Sequence, residues 1–109
     1  MAFKMKRHDT LPNLPFQIFE PDGTTPLDLA NATDVYLAVR YKRDLTVLFK
    51  NRTVIDDEVN GIGHYSWSGA DTIEEGEYQY EFEIQWADGN IQTVPVDSYL
   101  DLIIISDIA

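Results

Sequence analysis

Residues 77–86 read EYQYEFEIQW, with apolar and polar side chains alternating throughout. Tyr78, Tyr80, Phe82, Ile84 and Trp86 hold the even positions; Glu77, Gln79, Glu81, Glu83 and Gln85 hold the odd ones. On a helix the apolar set would scatter around the cylinder, whereas on a strand it forms one face. Burying five such side chains contributes roughly 8–15 kcal/mol, at about 1.5–3 kcal/mol each. A strand with one dry and one wet side belongs to an antiparallel sheet. Residues 34–42 (DVYLAVRYK) alternate as well, with Val35, Leu37, Val39 and Tyr41 on the apolar side. Shorter runs follow the same rule at 3–7, 14–19, 46–50, 53–55, 63–68 and 91–94. The run at 98–105 (SYLDLIII) is apolar on both sides toward its end, which predicts a strand covered on both faces or paired with a partner.

Turn chemistry separates these runs. Asp22-Gly23, Asn60-Gly61 and Asp88-Gly89 are favoured tight-turn pairs, and Asp88-Gly89 closes a hairpin between 77–86 and 91–94. Pro12, Pro15, Pro21, Pro26 and Pro95 lack a backbone donor and mark strand ends or sheet edges. Residues 25–33 have room for one helical turn and nothing longer. The pattern predicts an all-β fold: an antiparallel, immunoglobulin-like β-sandwich of about seven or eight strands, in one domain over residues 1–109. A small barrel is the alternative.

Composition narrows the function classes. The absence of cysteine excludes disulfides, thiolate zinc sites and cysteine nucleophiles. No apolar run is long enough for a membrane span, and the first ten residues lack the apolar centre of a signal peptide. The net charge of −11 speaks against nucleic acid and anionic membrane as partners. Its distribution is uneven. All eight bases lie at or before Arg52, among six acids; from residue 53 onward there are thirteen acids and no base. Either basic and acidic strands lie side by side in one sheet, or an acidic surface docks on a basic neighbour.

Candidate chemistry is sparse. His8 and His64 lack neighbours at metal-ligand spacing. Asp56-Asp57-Glu58 before Asn60-Gly61 offers oxygen ligands for calcium without the spacing of a known loop. Glu74, Glu75 and Glu77 supply carboxylates for a hydrolase, but adjacent residues in a turn rarely face each other across a cleft. No phosphate loop or nucleophile elbow occurs. The expectation is therefore no catalysis, no cofactor and no metal. Tyr36, Tyr65, Trp67 and Trp86 are candidates for a carbohydrate platform, although alternation assigns most of them to the core.

The order of segments carries a resemblance. KMKRHDTLPNL (4–14), PDGTTPLDLANATDVYLAVR (21–40) and GIGHYSWSGADTIEEGEYQYEFEIQWADGNIQTVPVDSYLDLIII (61–105) resemble, in order, three blocks of the N-terminal domain of phage baseplate upper proteins. Related small tail and virion proteins of phages and prophages share them. The chain departs from that pattern at His8, where the family has glycine. The resemblance implies a structural part of a virion, made in the bacterial cytoplasm and acting by packing and docking. Its partners would be other virion proteins or copies of itself, as a homo-oligomer in the assembly. The doubly apolar final strand supplies the expected interface: Leu100, Leu102 and Ile104, or else Tyr99, Ile103 and Ile105. A carbohydrate- or receptor-binding module is the competing function, and a carboxylate hydrolase the third.

Overall fold

The computed structural model describes residues 2–68, 71, 74–95, 99–106 and 108. Its strands are β1 (Phe3–Lys6), β2 (Leu14–Gln17), β3 (Ala32–Tyr41), β4 (Val47–Arg52), β5 (Val54–Asp57), β6 (Ile62–Tyr65), β7 (Gly76–Trp86), β8 (Ile91–Val94) and β9 (Leu100–Ile105). They form two sheets of a β-sandwich. The larger runs β1-β9-β7-β3-β4, with β8 also on β7; the smaller runs β2-β6-β5. The two longest alternating segments of the sequence, β3 and β7, lie antiparallel at the centre of the larger sheet. Their register sets Val35 against Ile84, Leu37 against Phe82 and Val39 against Tyr80, so both apolar sets share the inner face. Val35, Leu37, Val39, Tyr78, Phe82 and Ile84 are buried. From β9 and β1 come Leu102, Ile104 and Met5; Leu14, Tyr65 and Trp67 close the core from the opposite side.

Three features depart from the sequence expectation. The described residues form nine strands against the seven or eight expected, and the chain crosses from the larger sheet to the smaller one at Thr53, between β4 and β5. Thr53 is buried, and its N–H (2.9 Å) and hydroxyl (2.7 Å) both donate to the Val35 carbonyl. Not every pair is antiparallel: β1 runs parallel to β9. A parallel pair needs a long crossover, and the whole intervening chain provides it. The segment 25–33 holds a turn instead of a helical one. The Ala32 N–H reaches the Leu29 carbonyl at 3.0 Å, and the Asp28 carboxylate accepts the Ala30 N–H at 2.8 Å.

Tight turns at Asp22-Gly23, Asn60-Gly61 and Asp88-Gly89 are all present, each glycine at positive φ. A fourth turn explains position 8. The Asp9 N–H donates to the Lys6 carbonyl at 3.2 Å, which makes His8 the third turn residue, at φ 69°. That position of a type II turn favours glycine. The departure at His8 thus leaves the turn in place and puts a side chain where glycine costs least. The reverse constraint holds at Gly63, where the Phe16 ring and the Val54 carbonyl occupy the space a Cβ would need. Two stability outcomes are expected in urea unfolding. Gly63→Ala destabilises by about 1–3 kcal/mol, since the obstruction includes backbone. His8→Gly is neutral or stabilises by up to about 1 kcal/mol, the usual cost of left-handed backbone for a residue with a Cβ.

Ionisable groups bound the pH range of the fold. The Asp22 carboxylate accepts the Thr25 hydroxyl (2.5 Å) and the N–H groups of Thr25 (2.8 Å) and Thr24 (2.9 Å), which hold its pKa down to about 2. Burial raises the phenols of Tyr65 and Tyr78, the latter to about 12. A lowered carboxylate contributes stability above its ordinary pKa and loses it as pH falls. A raised phenol contributes below its ordinary pKa and loses it as pH rises. The melting temperature should therefore be flat between about pH 5 and 9 and fall on both sides. Circular dichroism melts of Tyr78→Phe should show a shallower alkaline fall; an unchanged alkaline limb would remove Tyr78 from the account.

Candidate functional site

The outer face of the larger sheet resolves the charge asymmetry. Lys50 and Arg52 on β4 lie across β3 from the acidic row of β7. Ala38 stands between Lys50 and Glu81 in register, and its short side chain lets Lys50 reach over β3 to Glu83 at 2.6 Å. The ammonium holds the Glu83 carboxyl below its usual range. Arg52 reaches Asp34 at 2.8 Å. Arg40 donates twice to the Gln79 side-chain carbonyl (3.0 and 2.9 Å) and stacks on Tyr99, 4.1 Å from the ring centre. Basic and acidic strands thus lie side by side. Exposed pairs of this kind contribute little stability, but they fix the face in one arrangement.

The six residues expected at an interface divide by the pleat. In β9, Leu102 and Ile104 are 2% and 4% exposed and belong to the core, so the set Leu100, Leu102 and Ile104 is corrected. The register with Tyr78 and Gly76 turns them inward. The alternative set faces out: Tyr99 is 48% exposed, Ile105 44%, and Ile103 is half-buried. Beside them stand the exposed Lys4 and Lys6 of β1, paired with Ile103 and Ile105. On the other side Ile103 pairs with the exposed Glu77. Lys4, Ile103 and Glu77 therefore form one row across three strands: cation, apolar, anion. Leu100, 38% exposed, faces the opposite way.

Leu100 opens into a groove that sequence reasoning missed. One flank of the sandwich is bridged by the chain itself at Thr53. On the other, the edge strand β2 and the strand β8 leave a gap of about 700 Å³. Phe16, Tyr80, Phe82, Val94 and Leu100 line it, with Pro15, Pro21 and Pro95 around it. Phe16 and Phe82 meet at its base with ring centres 4.7 Å apart, and Tyr80 packs edge-on against Phe82. Among the described residues that line it, Glu20 is the charged one. No local signal marks this feature, because its walls lie some sixty residues or more apart in sequence.

The remaining candidates are dispersed. Tyr65 and Trp67 are core residues, each packed against Phe49 and against one another, so they form no exposed platform with Tyr36 and Trp86. The Tyr65 hydroxyl donates to Asp71 (2.7 Å) and accepts from Asn51 (2.9 Å). Glu74 pairs with Arg43 (2.9 Å) and accepts the Tyr41 hydroxyl (3.1 Å), contacts that lower its pKa. It faces a cation, not a second carboxylate; Glu75 and Glu77 are exposed. His64 lies 2.6 Å from Asp56 on the outer face of the smaller sheet, and His8 is at the surface. Asp57 is used within its own turn, accepting from Asn60 at 2.8 Å. Among the described residues, no three His, Asp or Glu side chains converge as a metal site.

No family model matches the chain, and no curated protein matches its sequence. A similar solved structure is CopC from Methylosinus trichosporium OB3b, at 7% identity and a TM-score of 0.52, covering 96% of this chain and 84% of that one. At that identity the likeness carries the β-sandwich fold alone.

Proposed function

We propose that the chain is a structural component of a phage or prophage virion, in the tail, baseplate or head–tail region. It works by packing against neighbours and performs no catalysis. The ordered segments that resemble the N-terminal domain of baseplate upper proteins motivate this reading. The row of Lys4, Ile103 and Glu77, flanked by the exposed Ile105, is the observation that carries it. An apolar centre between opposite charges, on the rigid face of a sheet, suits a docking patch. A neighbour must present the reverse order of charges, and a second copy turned about a two-fold axis does so. Tyr99, the exposed aromatic beside the row, is covered on one side by Arg40, which disfavours the ring stacking a sugar asks for.

The test is assembly. The double variant Ile103→Glu, Ile105→Glu should keep its melting temperature within about 5 °C, because both side chains point away from the core. It should weaken self-association or binding to the products of adjacent genes by at least about tenfold in analytical ultracentrifugation. A wild-type chain that stays monomeric alone and with those products would end the proposal.

A further inference from the structure

The groove between β2 and β8 combines an apolar floor with two open strand edges. In β2 the Ile18 N–H donates to the Gly61 carbonyl at 2.9 Å, and the register pairs Phe16 with Gly63 and Leu14 with Tyr65. Antiparallel pairs alternate between bonded and non-bonded. Leu14, Phe16 and Ile18 therefore bond toward β6, and Gln17 turns its N–H and C=O away from the sheet. Pro15, which has no N–H to give, holds the other outward position. In β8 the same alternation starts from the Trp86 N–H on the Asn90 carbonyl, at 2.9 Å. It places Gln92 and Val94 in bonded pairs with β7 and turns the backbone of Thr93 outward. Between these edges, the inner face of β7 shows Tyr80 and Phe82 two residues apart, the spacing of alternate side chains on a strand.

We propose that this groove accepts an extended segment of a different protein as an added strand. Main-chain bonds to the edge at Gln17 or Thr93 hold it, and its alternate apolar side chains seat on Phe16, Tyr80, Phe82 and Leu100. Strand addition draws affinity from such an edge and specificity from the pockets beside it. Pro15 and Pro21 bracket the β2 edge and Pro95 follows β8, which limits the seat to a short segment and protects both edges from indiscriminate pairing. Charge selects the occupant. Among the described residues of the lining, Glu20 is the charged group and none is Lys or Arg. A chain with net charge −11 repels a second copy of itself at such a site. The segment is therefore cationic at the end that meets Glu20. The inference stands on the groove and not on the virion reading, which uses the opposite face of the sheet.

The probe is a synthetic peptide of about nine residues, alternating valine and threonine, with two lysines at one end. Its controls replace the lysines by glutamates or shuffle the order so that alternation is lost. In amide NMR titrations the lysine peptide should shift and protect the Gln17 or Thr93 N–H, and both controls should bind at least about tenfold more weakly. Gln17→Pro and Thr93→Pro remove the outward-facing backbone donors; Gln17→Pro also removes the bond from the Gln17 side-chain amide to the Asn60 carbonyl at 3.1 Å, a loss that Gln17→Ala reproduces alone. The paired variant should keep its fold and lose binding by about tenfold or more. If that variant unfolds, Leu100→Asp, at the mouth of the groove, must produce the same loss. Three outcomes overturn the proposal: no binding of the lysine peptide at millimolar concentration, binding that ignores alternation, or binding undiminished in a folded edge variant. Occupation of the groove by the apolar dye anilinonaphthalene sulfonate with no peptide binding would likewise refute it and mark a small-molecule site.

Discussion

The pairing of β3 with β7 is the constraint on which the rest of the molecule depends. Side chains on a strand repeat every two residues, so a slip by one would turn Val35, Leu37 and Val39 to water and bring Tyr36, Ala38 and Arg40 inside. The register that buries one apolar row buries both, and it also puts Arg40 opposite Gln79 on the far face. One choice thus sets the core and the surface together. The remaining strands are placed relative to this pair. β4 continues it on one side; β9 and β8 share the other edge of β7 end to end.

Sharing one edge between two strands has a consequence for shape. β9 pairs with Gly76–Tyr80 and β8 with Phe82–Gln85, so the two strands divide one edge of β7 between them. That edge lies on the side of β7 away from β3 and β4, opposite the crossing at Thr53. One flank is therefore bridged by covalent chain, and the other shows two unconnected edges over an apolar floor. The groove follows from topology more than from any residue that lines it.

The same distinction explains what could be read in the sequence. Alternation at 34–42 and 77–86 fixes strands, faces and most of the core, because period two is local and both segments are long. The three Asx-Gly turns are local as well. The final strand was ambiguous because Leu102, Ile103, Ile104 and Ile105 are all apolar; only its register against Tyr78 and Gly76 tells inner from outer. The row of Lys4, Ile103 and Glu77 joins residues about a hundred and about twenty-six positions apart, and the groove joins Phe16 to Phe82 and Leu100. Neither exists until the sheets form. Position 8 is the instructive intermediate. The sequence shows a histidine there, and only the backbone at φ 69° reveals a turn position that favours glycine.

Charge placement follows from that geometry. Clustering the bases before residue 53 looks like segregation along the chain, yet β3 and β4 lie beside β7, so sequence segregation becomes spatial alternation. Lys50 with Glu83 and Arg52 with Asp34 neutralise the part of the outer face that β3 and β4 cover. The groove lies behind the sheet, away from those cations, and Glu20 is the carboxylate among its described lining residues. The two proposals therefore rest on different surfaces of one chain: the docking patch on the striped outer face, and the strand seat on the apolar furrow behind it. Because side chains alternate across the sheet, the two surfaces draw on different residues of the same strands β7 and β9.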